Sequence, residues 1–418
     1  MKVLFLCKKF PYPLKDGESI AVSNLCRDLN SLGCELSLLS MNTSKHYSDL
    51  SALPAAYNYF KTVHTVDIDN SIKPWKAITS LVTGESYHVS RFRSGAFRAK
   101  LIEVLTKESF DIIQLETLYL APYIDTIRAY SNAPIVMRAH NVEHEIWERI
   151  TSNTTSPVKK FYLTQLTRQL KAYELEQFPA YDYLVTLTDR DLQHFKSKGY
   201  NNGATAAPIG FDISSYPVTR SLFGKSVSLC FIGSLDWMPN REGLEWFLNE
   251  CWPAIHTRWP QITFHIAGRN TPAAFLNQKW PGVTVHGEVP DATAFVQQHG
   301  VMIVPLFSGS GMRVKIVEGM LMGKVVITTA VGKEGIEGED GHHFLVADTK
   351  EQMINAVRLC VEQPEMASRI GQEALANAAL QFDSIHAARK ILGIYHQLLG
   401  YHQDATDERL KSISTFNQ

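Results

Sequence analysis

The sequence predicts an α/β protein made of two doubly wound halves in series. Three observations carry this. The chain opens with a strand–loop–helix–strand unit of the parallel kind. Its predicted strands are continuous apolar runs, as in sheets covered on both faces. The same rhythm restarts after a loop-rich stretch near the middle of the 418 residues. Length alone gives about three domains at about 150 residues each, and large α/β halves bring that toward two. With 45% apolar and 20% charged residues, the chain has material for sizeable cores. That composition excludes disordered, collagen-like and coiled-coil classes.

The elements follow in order. KVLFLC is a first strand, and FPYPLKDGES a polar loop. Ile20, Val22, Leu25, Leu29 and Leu32 recur at helical spacing and stop at Gly33, before the strand ELSLLSM. FDIIQL, APIVMRA and YLVTLT are further strands, and helices are predicted over 94–109, 157–178 and 189–197. Residues 44–90 show no regular pattern. Between 200 and 224 the chain is rich in Gly, Asn, Ser and Pro, which marks a linker. Beyond it come SVSLCFIGSL, ITFHIAG, VTVHGEV, VMIVPLF, KVVITT and HHFLVA as strands. Helices are predicted over 242–258, 292–298, 314–322, 350–362, 364–380 and 384–399. The expected division is 1–205, 206–383, and a final segment 384–418 whose helix crosses back and whose tail frays from Asp404.

Lys and Arg number 41 against 42 Asp and Glu. No strong overall field attracts nucleic acid, so none is expected as a partner. The six cysteines are scattered, with no C-x-x-C pair. Reduced core thiols fit a cytosolic protein. MKVLFLC is too short for a secretory h-region, and no stretch has the ~18–20 apolar residues of a membrane span. A soluble protein that still touches a membrane surface is compatible with this.

The most informative segment is VMIVPLFSGSGMRVKIVEGMLMGKVVITTAVGKEG. A strand feeds the turn Ser308, Gly309, Ser310, Gly311, and a helix opens after Met312. Glycines let a ligand approach the backbone, and a helix start offers free N–H groups at the positive end of its dipole. Arg313 and Lys315 sit beside that anion site, and Glu318 is placed to accept hydrogen bonds from ribose hydroxyls. A diphosphate would meet fixed amides and two cations. A tight turn with a solvated basic helix start fits the same residues. The G-x-G here lacks the third glycine of a dinucleotide fingerprint, since Val314 stands there.

Other groups are weaker. Gly17, in the first loop, leaves room for a ligand against the backbone or simply follows an N-cap. Gly233 closes the first strand of the second half, where phosphate or sugar contact and a structural turn are equally compatible. His140 follows the strand APIVMRA and faces the crevice at the carboxyl ends of the strands, where open α/β sheets bind ligands. The run from His140 through Glu143 to His144 spells H-x-x-E-H. Zinc chemistry needs both histidines on one helical face, and the first ends a strand. The D-x-D pairs at Asp67 and Asp69 and at Asp189 and Asp191 suit a divalent metal or a solvated turn. Arg91, Arg93, Arg98 and Lys100, interleaved with Phe92 and Phe97, form a basic aromatic patch suited to single-stranded nucleic acid, anionic lipid or a solvated helix start.

Taken together, the segments resemble a known family. SGSGMRVKIVEGMLMGKVVIT is similar to the donor-site segment of the family-four retaining glycosyltransferases, which have the GT-B fold. FPYPLKDGESIAVSNLCRDLNSLGCELSLLS resembles their opening glycine loop and helix. MRAHNVEHEIWER resembles the histidine segment of a bacterial sugar-transferase subgroup, and PIGFD the interdomain P-x-G-x-D. FIGSLDWMPNREGLEWFLNECWPAI resembles the start of the donor domain.

The resemblance implies two Rossmann-like domains facing a cleft, a nucleoside-diphosphate sugar on the C-terminal domain and an acceptor on the N-terminal one. Metal-independent transfer is implied, with no cofactor beyond the donor substrate. Glu318 matches the second glutamate of the family's Glu-x7-Glu motif, expected on the ribose. Ser310 stands at the first. Arg313 and Lys315 become the diphosphate candidates, and Gly17 matches one of the paired glycines of the first loop. His140 matches the histidine beside the transferred sugar. The expected activity is retaining transfer to a glycan or lipid-linked acceptor in cell-surface polysaccharide synthesis. The protein is expected in the cytoplasm, docking peripherally at the inner membrane face if the acceptor is lipid-linked. A non-catalytic nucleotide-binding GT-B protein and a sugar-nucleotide epimerase are the alternatives.

Overall fold

The structure is a computed structural model. It describes residues 1–400 except 15, 45, 50–52, 54–56, 72–83, 219–222, 224–226 and 310. The chain forms two compact units, Met1–Gly210 with the segment opening at Ser384, and Phe211–Asp383.

In the first unit, β1 (Lys2–Cys7), β2 (Glu35–Thr43), β3 (Phe60–Ile68), β4 (Ile112–Glu116), β5 (Ile135–Ala139), β6 (Tyr183–Thr186) and β7 (Gly203–Ala206) form one sheet. Its order is β3-β2-β1-β4-β5-β6-β7, and every pairing is parallel. The alternation in β1 shows why it reads as an unbroken apolar run. Leu4 and Leu6 enter the core on one face, and Val3, Phe5 and Cys7 the core on the other. Helix Gly17–Ser31 covers the second face. It is capped by Asp16, whose carboxylate accepts from the Ser19 N–H. Helix Ser384–Leu398 packs against it and adds Ala388, Ile391, Ile394 and Tyr395 to the same core.

The second unit repeats the plan with β8 (Ser228–Ile232), β9 (Thr263–Ala267), β10 (Val283–Gly287), β11 (Val301–Val304), β12 (Val325–Thr328) and β13 (Leu345–Val346). The order is β10-β9-β8-β11-β12-β13, again all parallel. Trp252, fully buried, anchors its core and donates its indole N–H to the Pro281 carbonyl at 2.9 Å. Both orders place a switch point beside the first strand of the unit, where doubly wound sheets bind ligands at the strands' carboxyl ends.

Three expectations need correction. The units divide at Gly210 and Phe211 rather than after residue 205, because Gly203–Ala206 is itself the last strand of the first sheet. The helix predicted over 242–258 starts earlier, at Met238. It passes through a π-helical turn at Phe247–Cys251 before Trp252–Arg258, where Pro253 supplies no N–H. The stretch 44–90 holds β3 and a short helix at Tyr87–Ser90. The tail from Asp404 lies outside the described residues.

Candidate functional site

The second unit builds its site where β11 leaves the sheet. Gly309 and Gly311 both adopt left-handed backbone, with φ of 118° and 75°, which turns the chain sharply into helix Val314–Leu321. Ser310 between them lies outside the described residues. Ser308 is buried and donates to Glu242 at 3.2 Å, and Met312 is buried as well. The Arg313 guanidinium folds back over this turn. It donates to the carbonyls of Gly311 and Val331 and lies 3.8 Å from Glu334. Arg313 therefore braces the loop that opens the helix.

Lys315 points the other way, to the end of β8. Its ammonium donates to Asn240 Oδ1 at 2.6 Å and lies 4.8 Å from the centre of the Phe231 ring. Asn240 is held in turn by its amide, which donates to the Ser234 carbonyl at 2.8 Å. Two close approaches make this meeting possible. A Cβ on Gly243 would fall 1.5 Å from the Pro305 carbonyl oxygen, so only glycine lets helix Met238–Trp246 reach the end of β11. A Cβ on Gly233 would fall 2.7 Å from the Lys315 ammonium. Burial, then the Arg313 charge, lowers Lys315 to about 7, with Glu318 opposing.

Glu318 lies one turn further along the same helix and accepts from the Tyr216 hydroxyl at 3.2 Å. Burial raises its pKa to about 7 against the pull of Tyr216 and Lys315. Burial, then the Glu318 charge, pushes the Tyr216 phenol up. Lys315 and Glu318 both keep part of their surface accessible. The arrangement presents a cation, a carboxyl group and helix-start amides at one switch point, which suits an anion attached to a polyol. Asn240 and Tyr216 were not anticipated as partners of this group. The sequence signal for Asn240 was only its place after a strand-end loop.

In the first unit, His140 follows β5 and is nearly buried. Its Nε2 meets the Glu116 carboxylate at 2.6 Å, and Arg138 lies 3.4 Å from the same oxygen. Burial alone would raise Glu116, but Arg138 and His140 outweigh it and hold the carboxyl low. An ionised carboxylate only accepts, so Nε2 carries the proton, and Glu116 fixes the ring's orientation. Gly17 is the first residue of its helix, directly after the Asp16 cap. His140 and Gly17 thus belong to one unit, and Gly233 with residues 308–318 to the other.

The H-x-x-E-H run does not converge. His140 pairs with Glu116, His144 meets Glu174 at 2.6 Å, and Glu143 accepts from Tyr119 at 2.8 Å. Among the described residues no group of three or more His, Cys, Asp or Glu is placed to hold a metal ion. Asp67 accepts from Asn42, Asp69 from the Ser71 N–H, and Asp191 from Arg190. The basic aromatic patch disperses. Arg93 and Lys100 pair with Glu85 and Glu103, and Phe97 is core. Among the described residues no helix is long and apolar enough to cross a membrane.

Several known proteins share this fold. Sucrose-phosphate synthase from Thermosynechococcus elongatus has a TM-score of 0.71 at 15% identity, covering 96% of this chain and all of that one. TarM, known from S. aureus, gives 0.69 at 11%, covering 94% and 98%. Anabaena Alr3699/HepE in complex with UDP-glucose gives 0.65 at 14%, covering 95% and 100%. The fold is GT-B: two Rossmann-like α/β units of parallel strands.

Residues 226–363, most of the second unit, match the family described as "Glycosyl transferases group 1". A curated relative from Klebsiella pneumoniae, "Uncharacterized 44.6 kDa protein in cps region", is 21% identical over 266 residues. That match covers 60% of this chain and 65% of the relative's length. The family match is thus confined to the second unit, while the likeness of fold runs through both.

Proposed function

We propose that the protein is a retaining glycosyltransferase of the family-four kind. It moves a sugar from a nucleoside-diphosphate sugar to a glycan or lipid-linked acceptor in cell-surface polysaccharide synthesis, working in the cytoplasm or at the inner membrane face. The observation that carries this reading is the Lys315 group. A half-buried ammonium, set by Asn240 and made possible by Gly233, stands beside Glu318 at a helix start. The structural neighbours add support, since Anabaena HepE forms complexes with UDP and with UDP-glucose. The Klebsiella relative belongs to a cps region, which supports the polysaccharide context.

The chemistry follows from charge. As the glycosidic bond breaks, negative charge grows on the leaving diphosphate. Lys315 and the amides behind Gly311 stabilise that charge, a contact of a kind that typically carries roughly 10²–10³ in rate. Arg313 holds the turn that presents those amides. Glu318 fixes the ribose, and His140, oriented by Glu116, positions the sugar or acceptor. These groups supply the positive charge without a metal and without a cofactor beyond the donor. The test is transfer and hydrolysis of UDP-, GDP- and ADP-sugars, with and without EDTA. Turnover that survives chelation and gives a product of unchanged anomeric configuration supports the reading.

One observation favours a second reading, a non-catalytic nucleotide binder. Ser310 stands where the resembled family carries its first glutamate. Tight UDP or GDP binding with no turnover of any donor would select it.

A further inference from the structure

The first unit holds a pocket of about 240 Å³ that neither His140 nor Gly17 lines. Its volume lies just below the roughly 300–1,000 Å³ of small-molecule sites, room for one ring rather than a chain. Three cations face it: Lys8, Lys9 and Arg91. The Lys8 ammonium lies 3.1 Å from Glu18 and 4.5 Å from the centre of the Tyr119 ring. Lys9 lies 2.6 Å from Asp16 and 3.8 Å from Glu18. Arg91 donates twice to the Asn70 carbonyl, at 3.1 and 2.6 Å, and meets no carboxylate among the described residues. Glu18 is the lining's one carboxylate, and Asp16 is the second partner of the lysines. Glu143 lies behind Tyr119 and does not line the pocket. The lining itself thus sets Lys8, Lys9 and Arg91 against the single carboxylate of Glu18.

Besides Thr43, His46 and Asn70, the remaining lining is aromatic, and one of its polar atoms is short of a partner. The His88 and Trp147 rings lie 4.2 Å apart, and Phe92 and Tyr119 4.9 Å apart. His88 Nε2 is buried without a hydrogen-bond partner among the described residues, an unmet polar atom of the sort a ligand hydroxyl satisfies. Excess positive charge, ring faces and one-ring volume together describe an acidic sugar.

We propose that this pocket binds a single sugar residue bearing a carboxylate or a phosphate ester. Lys8, Lys9 and Arg91 hold the anion, and the His88–Trp147 pair packs on the ring. That this sugar is the acceptor end rests on the transferase reading above; the binding itself does not.

The experiment is calorimetry on the full chain with methyl glucuronide, glucose 6-phosphate, methyl glucoside and inorganic phosphate, each alone, and with UDP in parallel. At least one sugar acid should bind about tenfold or more tighter than both the neutral glycoside and inorganic phosphate. Which acid binds better identifies the anion. Arg91→Gln should lose that preference, Arg91→Lys should recover part of it, and UDP affinity should stay unchanged in both. If R91Q does not fold, the wild-type salt series decides. Glucuronide or sugar-phosphate affinity that falls between 50 and 500 mM salt supports the site. Affinity that ignores salt overturns it, as do equal binding of the neutral glycoside, equal binding of inorganic phosphate, or no sugar binding at all. Acid binding without UDP binding would sink the transferase reading and leave the pocket standing.

Discussion

Lys315 should make nucleotide binding a proton-uptake reaction. Its pKa is lowered to about 7 by burial and the Arg313 charge, so at pH 8 roughly nine molecules in ten carry the neutral amine. A diphosphate favours the ammonium and recaptures the proton. UDP or GDP binding at pH 8 therefore takes up close to one proton, and affinity falls toward about tenfold per pH unit above 7. Glu318, raised to about 7 chiefly by burial, is ionised at pH 8, so that pH isolates the lysine. Calorimetry in buffers of different ionisation heat counts the protons. Lys315→Met removes the uptake and a charged hydrogen bond worth about 1.5–3 kcal/mol, or about 10- to 150-fold in affinity. The same change should raise the melting temperature of the free protein. Between about 7 and the ordinary lysine value the unfolded chain binds a proton that the folded one releases, so the native lysine costs stability below that window. Tight nucleotide binding with no proton uptake by the wild type, or with equal uptake in K315M, refutes this reasoning.

Other outcomes follow from contacts of the same kind. Gly233→Ala places a Cβ 2.7 Å from the Lys315 ammonium and 2.9 Å from the Asn240 amide, both ends of side chains, so it should weaken UDP binding at nearly unchanged melting temperature. Gly243→Ala meets a backbone carbonyl at 1.5 Å, and by circular dichroism the second unit should unfold. Glu116→Gln leaves Arg138 buried without its counter-charge and should cost about 3–5 kcal/mol in a urea melt; a loss under 1 kcal/mol contradicts the assigned network. His88 and His299 are both lowered to about 4, chiefly by burial. The unfolded chain binds protons below pH 6.5 that the folded one refuses until about 4, so stability falls as pH drops through that window. At pH 5.5 the loss is on the order of 1 kcal/mol per histidine, and equal urea midpoints at pH 7 and 5.5 would contradict it.

The strands legible in the sequence are those buried on both faces, such as β1, β4 and β11, because their composition alone sets them apart. β3 escaped notice for the opposite reason. It is an edge strand, and FKTVHTVDI is largely half-buried, with Lys61 and Asp67 exposed. β7, GATA, carries almost no apolar bulk. It is held by pairing with β6, where Gly203 lies so close to the Tyr183 ring that a Cβ would fall 2.5 Å from it. Helix Glu143–Asn153 opens with EHE, which reads as solvated surface. In the fold Glu143 and His144 are buried, each N–H donating to Glu174 about thirty residues on.

The site divides along the same line. Its local part, the glycine turn with Lys315 and Glu318 on the following helix, was readable because one short segment contains it. What those side chains become was not readable. Asn240 reaches Lys315 across 75 residues of chain, and Tyr216 reaches Glu318 across 102. A sequence presents Lys315 as an ordinary surface cation and Glu318 as an ordinary surface anion. The packing that buries them brings both pKa values near 7, with the Arg313 charge adding to the shift at Lys315, and that shift would tie nucleotide binding to pH. A variant that relaxes this packing without touching Lys315 should therefore return the lysine toward its ordinary pKa and abolish proton uptake while nucleotide still binds.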